Sequence, residues 1–384
     1  MTEAKSAGSE ALHQVLADWL VGRGDCSAAD AVARHGVDAV LAACEREGVV
    51  SLVHARLTSP EAAANPAPIE LLQPLAARAR LCAARSLLCQ AEARRIQQAL
   101  SAAGIPALWL KGIALGHWLY PSMHLRDVAD IDLLLPDHAT TLRAAQVLAP
   151  LGYALPNPHI AGDLVVHELL AWSERAKLEL DLHWDLSNSA LFAGRVSWAE
   201  LHGRSMPLAS LGDGARCLSP QDAFLHACLH RAVNRLTLRE DRLRWLYDLH
   251  LLGLRFEASD WNDLLRTAQQ ARLADACESA VTACQRLFAT PVPAETLAAF
   301  AASSAGESIR TSRLGRWSYF QWACWQRLPD LRTRLRWLRQ LLFPELAHLR
   351  VRYGDDGAGR GRILMRRLRD GVARWRGYAR RELR

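Results

Sequence analysis

The chain has 384 residues, of which 50% are hydrophobic and 23% charged, and its formal net charge is +7. A length of this order allows roughly two or three domains with a sizeable core, and the composition is typical of a globular protein. No segment offers the roughly 18 consecutive apolar residues that a transmembrane helix needs. The first residues lack the basic start and apolar run of a secretory signal, so we expect a cytoplasmic protein.

The positive charge is concentrated near the end of the chain. Residues 331–384 contain 16 Arg against five acidic residues, a balance of +11, which leaves −4 for the remainder. Such a segment is typical of a solvated face on terminal helices, and also of a surface that binds nucleic acid or an anionic membrane. The sequence leaves these alternatives open.

The nine cysteines are scattered and form no CxxC pair, a pattern that indicates reduced thiols in a reducing compartment. His226, Cys228 and His230 are spaced like metal ligands. Because residues two apart on a helix point in different directions, only the two histidines share a face. Helix packing is therefore a better interpretation of this cluster than a zinc site.

Residues 10–100 repeat apolar side chains three and four apart, which predicts helices throughout. A Pro/Ala-rich segment at 59–70 connects two of them. We therefore expect an N-terminal helical region over residues 1–100.

The pattern changes after Gly104. The apolar run 105–110 predicts a buried strand, and helical spacing follows at 112–120. A second strand is predicted at 128–135, and a second helix at 137–152.

Two further strands, 164–172 and 176–184, are separated by the turn residues Ser173, Glu174 and Arg175. So short a connection predicts an antiparallel hairpin. Strands and helices together predict an α/β core over residues 101–195.

Helical spacing returns after the hairpin. Ser219 is the expected N-cap of one helix, with Pro220 at its first helical position. We expect a helical partner domain over 196–295 and an Arg-rich helical C-terminal region over 296–384. The predicted class is α+β, a small mixed β-sheet core flanked by N-terminal and C-terminal helical regions.

The strand at 128–135 carries two carboxylates. Side chains alternate along a strand, so Asp130 and Asp132 project from one face while Ile131 points into the core. Two carboxylates on one face of an apolar strand repel each other and resist desolvation. A bound cation resolves both problems, and oxygen ligands suit Mg²⁺.

The second hairpin strand offers a third carboxylate. Glu179, Asp181 and His183 alternate with leucines and share one face. If the two strands are neighbours, Asp181 joins Asp130 and Asp132 in a cluster that holds two Mg²⁺ ions for in-line phosphoryl displacement. His183 either orients a carboxylate or the acceptor, or is satisfied by its strand neighbours.

Lys111 and Gly112 stand where the first strand turns into a helix. Backbone N–H groups at such a helix start face an anion, and Gly112 lets a phosphate approach closely. Lys111 would add a point charge for a triphosphate, and Arg126 a planar fork. The alternatives are a solvated turn lysine, and a loop ion pair of Arg126 with Asp127.

The segments LKGIALGHWLYPSMHLRDVADIDLLL and ELDLHW resemble the uncharacterised bacterial nucleotidyltransferase family of the DNA polymerase β superfamily. The resemblance extends through SPQDAFLHACLHRA and RLRWLYDLHLL and fades after about residue 290. The superfamily's usual Gly-Ser or Gly-Gly pair is replaced here by Lys111-Gly112. Phosphate binding is therefore carried over more safely to Gly112 than to Lys111.

The resemblance implies an enzyme that moves a nucleoside monophosphate from an NTP to an acceptor hydroxyl and releases pyrophosphate. Asp130, Asp132 and Asp181 would be the catalytic metal ligands, with Mg²⁺ as cofactor and Mn²⁺ as a substitute. The acceptor stays open among small molecules, peptides, glycan intermediates, tRNA and proteins. The alternative is a non-catalytic nucleotide-binding or scaffolding module whose basic tail docks on nucleic acid or a membrane surface.

Overall fold

Along the chain, helices precede and follow the strands of a small mixed sheet. The computed structural model describes residues 2–24, 26–157, 159–235, 241–353 and 360–382. The helices before the sheet and within it are α1 (Thr2–Val21), α2 (Ala28–His35), α3 (Val37–Glu47), α4 (Val50–Leu57), α5 (Ile69–Ala102), α6 (Lys111–Trp118), α7 (His138–Leu148) and α8 (Trp198–Arg204). The later helices are α9 (Pro220–Asn234), α10 (Leu243–Gly253), α11 (Ala258–Ala271), α12 (Ala274–Phe288), α13 (Ala294–Ala305), α14 (Trp317–Arg327), α15 (Leu331–Leu342), α16 (Leu346–Tyr353) and α17 (Arg360–Glu382).

The sheet of the described residues is mixed, with the strand order β3-β4-β5-β2-β1-β7-β6. Its strands are β1 (Leu108–Trp109), β2 (Asp130–Leu134), β3 (Tyr153–Ala154), β4 (Glu168–Ser173), β5 (Leu178–His183), β6 (Met206–Pro207) and β7 (Arg216–Cys217). The pairs β2–β5 and β1–β7 are parallel, and the other neighbours are antiparallel. The predicted α+β class is confirmed.

The two faces of the sheet are covered differently. Ile131 and Leu133 of β2 pack with α5 and α7 in one apolar cluster. Leu134 points the other way, into a larger cluster shared with the N-terminal helices and with α9, α10 and α12. Because alternate residues share a face, Asp130 and Asp132 lie on the side of the sheet that the later helices cover.

Helix starts agree with the predicted capping. The Ser219 side chain accepts a hydrogen bond from Asp222 N, and Pro220 is the first residue of α9, as predicted. Asp137 caps α7 in the same way through Thr140 N. These caps satisfy backbone donors that have no partner inside a helix.

Several predicted boundaries move inward. The antiparallel hairpin is confirmed, but β4 begins only at Glu168 because residues 163–165 form a turn. The run 105–110 is paired over Leu108–Trp109 alone. No helix within the described ranges combines the length and apolar character needed to cross a bilayer.

The Arg-rich region is helical where it is described. Trp337 of α15 is buried in the larger apolar cluster, and Gln340 Nε2 donates to Asp163 Oδ1 at 2.6 Å. These contacts attach α15 to the loop before β4. Residues 354–359 and 383–384 of the predicted region lie outside the described residues.

Candidate active site and metal centre

The register of β2 and β5 brings two of the predicted carboxylates together. The strands are parallel neighbours, and Asp132 is the direct partner of Asp181. One ligand atom each from Asp132, Asp181 and His183 lie within 4.8 Å of one another. Asp130 lies two residues before Asp132 on the same face of β2 and pairs with Glu179. Its carboxylate is not part of this group.

Asp132 is the centre of the group. Its side chain is buried, and its Oδ1 accepts from Lys111 Nζ at 2.5 Å and contacts His183 Nε2 at 3.1 Å. Burial favours the neutral acid, but the Lys111 charge and the His183 contact outweigh it and hold the Asp132 pKa well below its usual range. Asp132 is therefore a charged carboxylate in the folded protein.

The pKa of Asp181 is shifted in the opposite direction from that of Asp132. Burial and the nearby charge of Asp132 raise its pKa to about 8. Its Oδ1 atom is buried and has no hydrogen-bond partner among the described residues. An unpaired buried acceptor beside a charged carboxylate is a position at which a cation is stabilising.

The His183 ring lies between two carboxylates. Its Nδ1 is 3.2 Å from Glu168 Oε2, within ion-pair distance although the geometry is not that of a hydrogen bond. Asn188 Nδ2 holds the other oxygen of Glu168. A carboxylate behind a ligating histidine fixes the orientation of the ring in many metal sites. Burial disfavours the charged ring, but the bond to Asp132 raises the His183 pKa overall.

Glu168 was missed from the sequence. The signal was available in principle, because Glu168 pairs directly with His183 in the hairpin register. Finding it requires knowing which residues form the turn, since a shift of one residue would place Glu168 on the other face.

Lys111 begins α6 with a left-handed backbone, φ 46°. For a residue with a Cβ this conformation costs roughly 1–3 kcal/mol and persists only where the surroundings require it. Here it accompanies the ion pair with Asp132, and the lysine side chain is only 22% exposed. Lys111 is therefore not a solvated turn lysine.

Gly112 is tightly enclosed. A Cβ placed on it would lie 3.3 Å from Val128 Cγ2 and 3.7 Å from Arg126 Nη1. A larger residue would displace these neighbours and obstruct the start of α6. Close approach of a phosphate at Gly112 stays a prediction.

Arg126 is buried in an ion pair with helix α10. Its Nε and Nη2 donate to Asp248 Oδ1 and Oδ2 at 2.8 and 2.7 Å, and Tyr120 Oη donates to Asp248 Oδ1 at 2.6 Å. The third nitrogen, Nη1, donates to the Asp127 carbonyl oxygen at 2.8 Å. The alternative of an ion pair with the Asp127 carboxylate is therefore wrong, because the acid partner is Asp248.

A pocket of about 60 Å³ opens between α6 and the helices α9 and α10. Lys111, Gly112, Arg126 and Asp130 line it from the sheet side. From the helical side its lining includes His226, His230, Arg244 and Asp248. The predicted phosphate-binding residues thus share one cavity with the first strand carboxylate.

The two histidines in this pocket are neutral. Burial and the positive charge of Lys111 lower the His226 pKa to about 3, and burial likewise lowers the pKa of His230. Within the described ranges, the group that could hold a metal ion is the one around Asp132. The structure therefore favours packing over a zinc site at His226, Cys228 and His230.

The donor set fits a divalent cation. Asp132 and Asp181 offer hard oxygen atoms and His183 a nitrogen; Asp132 and His183 are buried, and Asp181 is half-buried. Oxygen ligands suit Mg²⁺ and Mn²⁺, and one imidazole is compatible with the latter. Two-metal coordination that includes Asp130 stays a prediction.

Residues 34–289 match the family model described as an uncharacterised nucleotidyltransferase. This range covers two thirds of the chain and contains both acidic strands, α6, α9 and α10. A search of curated proteins gives no match.

Proposed function

Because this chain belongs to that uncharacterised nucleotidyltransferase family, we propose that it transfers a nucleoside monophosphate from an NTP to an acceptor hydroxyl. The observation that carries the proposal is the convergence of Asp132, Asp181 and His183 within 4.8 Å on two neighbouring strands. The acceptor oxygen forms a bond to the α-phosphorus, the bond to the β-phosphate oxygen breaks, and pyrophosphate leaves.

The cluster of two carboxylates and one histidine is the proposed metal site. Asp132, Asp181 and His183 would hold Mg²⁺ or Mn²⁺, with Asp130 as the ligand closest to the nucleotide pocket. Such an ion supplies Lewis-acid stabilisation of the charge that develops on the transferred phosphoryl group.

The chain's own groups then position the reactants. Gly112 and the N-terminal amides of α6 bind phosphate oxygens, as helix starts do. Lys111 contributes a charge at the same end of the helix. The unpaired Asp181 Oδ1 lies where it completes the metal site or takes the proton of the acceptor hydroxyl.

The acceptor is a small molecule, a peptide, a glycan intermediate, a tRNA or a protein. The basic region 331–384 would bind nucleic acid or an anionic membrane, as its charge pattern predicts. Both assignments stay predictions.

The direct test is pyrophosphate release from an NTP in the presence of Mg²⁺, with label on the α-phosphate to detect self-labelling or transfer. The Asp132→Asn and Asp181→Asn variants should lose it. Asp213→Asn is the matched control, because Asp213 is exposed in a turn and belongs neither to the pocket lining nor to the candidate metal centre. A wild-type protein that neither binds an NTP analogue nor releases pyrophosphate would refute the proposal.

A further inference from the structure

We propose that Arg244, on helix α10, binds a phosphate group of the nucleotide in the pocket between α6 and α10. The inference rests on the proposed nucleotidyl transfer, and it assigns the arginine contact to the helical side of the cleft. Arg126, on the sheet side, instead holds the two sides together.

All three guanidinium nitrogens of Arg126 are already engaged by acceptors of the protein. Its Nε and Nη2 are bound to Asp248, and its Nη1 to the Asp127 carbonyl. Both members of the ion pair are buried. Turning Arg126 toward a ligand would leave Asp248 as an uncompensated buried charge.

The charge of Arg244 has no such match. Within the described ranges no carboxylate lies in ion-pair distance of it, and its one hydrogen bond is from Nη1 to the Asp127 carbonyl oxygen at 3.1 Å. Its Nε is buried without a partner. Burial and the adjacent Arg126 charge lower the Arg244 pKa to about 10, so the cation is destabilised until an anion joins it.

The stem of Arg244 is held in place. Gly48, which directly follows α3, has a left-handed backbone, and a Cβ there would lie 3.2 Å from Arg244 Cδ and Nε. The glycine therefore lets the end of α3 pack directly on the arginine. A guanidinium fixed in this way loses little side-chain freedom when it binds a ligand.

The pocket suits a phosphate group in its charge, because three of the side chains that line it, Lys111, Arg126 and Arg244, are cationic. Arg244, Lys111 and the N-terminal amides of α6 border it, and its two histidines are uncharged. A planar guanidinium opposite a helix start matches the tetrahedral oxygens of a β- or γ-phosphate, the part of the NTP that leaves as pyrophosphate.

The test compares Arg244→Ala and Arg244→Lys with Arg242→Ala. Arg242 carries the same charge two residues away, stacks over Trp245 and does not line the pocket. Calorimetric titrations use inorganic pyrophosphate and a slowly hydrolysed NTP analogue, each with Mg²⁺, and the corresponding nucleoside without phosphates. Melting temperatures of all variants report the structural role of the Asp127 contact.

We expect Arg244→Ala to weaken pyrophosphate and analogue binding about ten- to a hundred-fold, as loss of a charge-assisted contact does. Arg244→Lys should recover part of this loss, and Arg242→Ala should bind like the wild type. Nucleoside binding should not change. If Arg244→Ala does not fold, Arg244→Lys decides, because it keeps the charge but not the planar fork.

Wild-type affinity for pyrophosphate in the Arg244 variants would overturn the inference. This outcome differs from a failure of the proposed function, in which the wild-type protein itself neither binds the analogue nor releases pyrophosphate. If pyrophosphate binding depends on Arg244 but the wild-type protein shows no turnover, the phosphate site is supported and the proposed enzymatic activity is refuted.

Discussion

Lys111 Nζ lies 2.5 Å from Asp132 Oδ1, so the lysine is the counter-ion of the most deeply buried carboxylate in the candidate site. Asp132 is also a member of the candidate metal centre. A cation that binds Asp132 therefore competes with the ammonium group, and binding would free the lysine for a phosphate oxygen.

The first prediction is that Lys111→Ala separates metal binding from nucleotide binding. Without the competing ammonium group, Mn²⁺ alone should bind more tightly, while an NTP analogue should bind more weakly. The metal-free protein should lose roughly 1–3 kcal/mol of unfolding free energy, because Asp132 stays buried with His183 as its remaining partner. Calorimetric titration and urea denaturation measure these three quantities.

Lys177→Ala is the control for that variant. Lys177 is an exposed lysine paired with the exposed Glu174, and such surface pairs contribute about 0–1 kcal/mol. It should leave Mn²⁺ and nucleotide affinity unchanged. Equal Mn²⁺ affinity in Lys111→Ala and the wild type would mean that the lysine and the metal do not share Asp132.

The second prediction concerns Asp132 and Asp181, the two carboxylates of the candidate metal centre. Asp132 is satisfied by Lys111 and His183, so Asp132→Asn should destabilise the metal-free protein. Asp181 has an unpaired buried oxygen and is repelled by Asp132, so Asp181→Asn should leave the metal-free protein equally or more stable. The readout is the melting temperature in the presence of EDTA.

Mg²⁺ or Mn²⁺ should stabilise the wild-type protein and so raise its melting temperature. At a metal concentration of a hundred times the dissociation constant, the unfolding free energy should rise by about 2.7 kcal/mol. Both single variants should reduce this response. A double variant that responds like the wild type would place the ion elsewhere.

The third prediction is that the Arg126–Asp248 pair stabilises the fold. Asp248→Asn leaves the guanidinium buried without an acid partner and removes the charged acceptor of Tyr120 Oη, so we expect a loss of about 3–5 kcal/mol. Asp263→Asn breaks the exposed pair with Arg266 and should cost about 0–1 kcal/mol. Chemical denaturation that gives similar losses for the two variants would contradict this assignment.

The fourth prediction is a loss of stability in mild acid. Burial lowers the pKa of His167 and His250 to about 4, and the pKa of His226 to about 3. These groups are neutral in the folded protein but take up protons near pH 6.5 when unfolded. Their contribution to stability is therefore complete above about pH 6.5 and is lost as the pH falls toward about 4, at up to roughly 1.4 kcal/mol per pH unit for each group.

Urea denaturation between pH 5 and pH 8 measures this slope. His250→Gln keeps a polar partner for Thr290 Oγ1 but cannot titrate. The variant should reduce the proton uptake on unfolding near pH 5 by about one proton. An unchanged slope would show that His250 is not neutral in the folded state.

Local patterns in the sequence were sufficient to predict part of the site. Period-two alternation was enough to place Asp130 with Asp132 on one face of the first strand, and Asp181 with His183 on one face of the second. The cap at Ser219 was equally local. These features depend on neighbouring residues, which a sequence displays directly.

The remaining features depend on contacts between distant segments. The acid partner of Arg126 is Asp248, 122 positions later, and no periodic pattern points to it. The left-handed backbone of Lys111 is imposed by its surroundings, since a lysine has no intrinsic preference for it. Arg244 is a candidate phosphate ligand only because the nearby carboxylates of Asp127 and Asp248 are bound to other residues.

The last prediction concerns Gly112. Substitutions there change the space at the phosphate end of the pocket without changing its charge. Its backbone is not left-handed, so a side chain is limited by its neighbours and not by strain. Gly112→Ala places a Cβ 3.3 Å from Val128, which must give way slightly, and we expect a loss below about 1 kcal/mol. Gly112→Val also presses on Arg126 and fills the start of α6, so stability should fall by about 1–3 kcal/mol and NTP binding should be lost. Gly203→Val is the matched control, because Gly203 is also helical and a Cβ at that position would meet no atom within 4 Å. Titration with the NTP analogue and melting curves rank the three variants. If Gly112→Val retains wild-type affinity, the phosphates do not approach α6 at this residue.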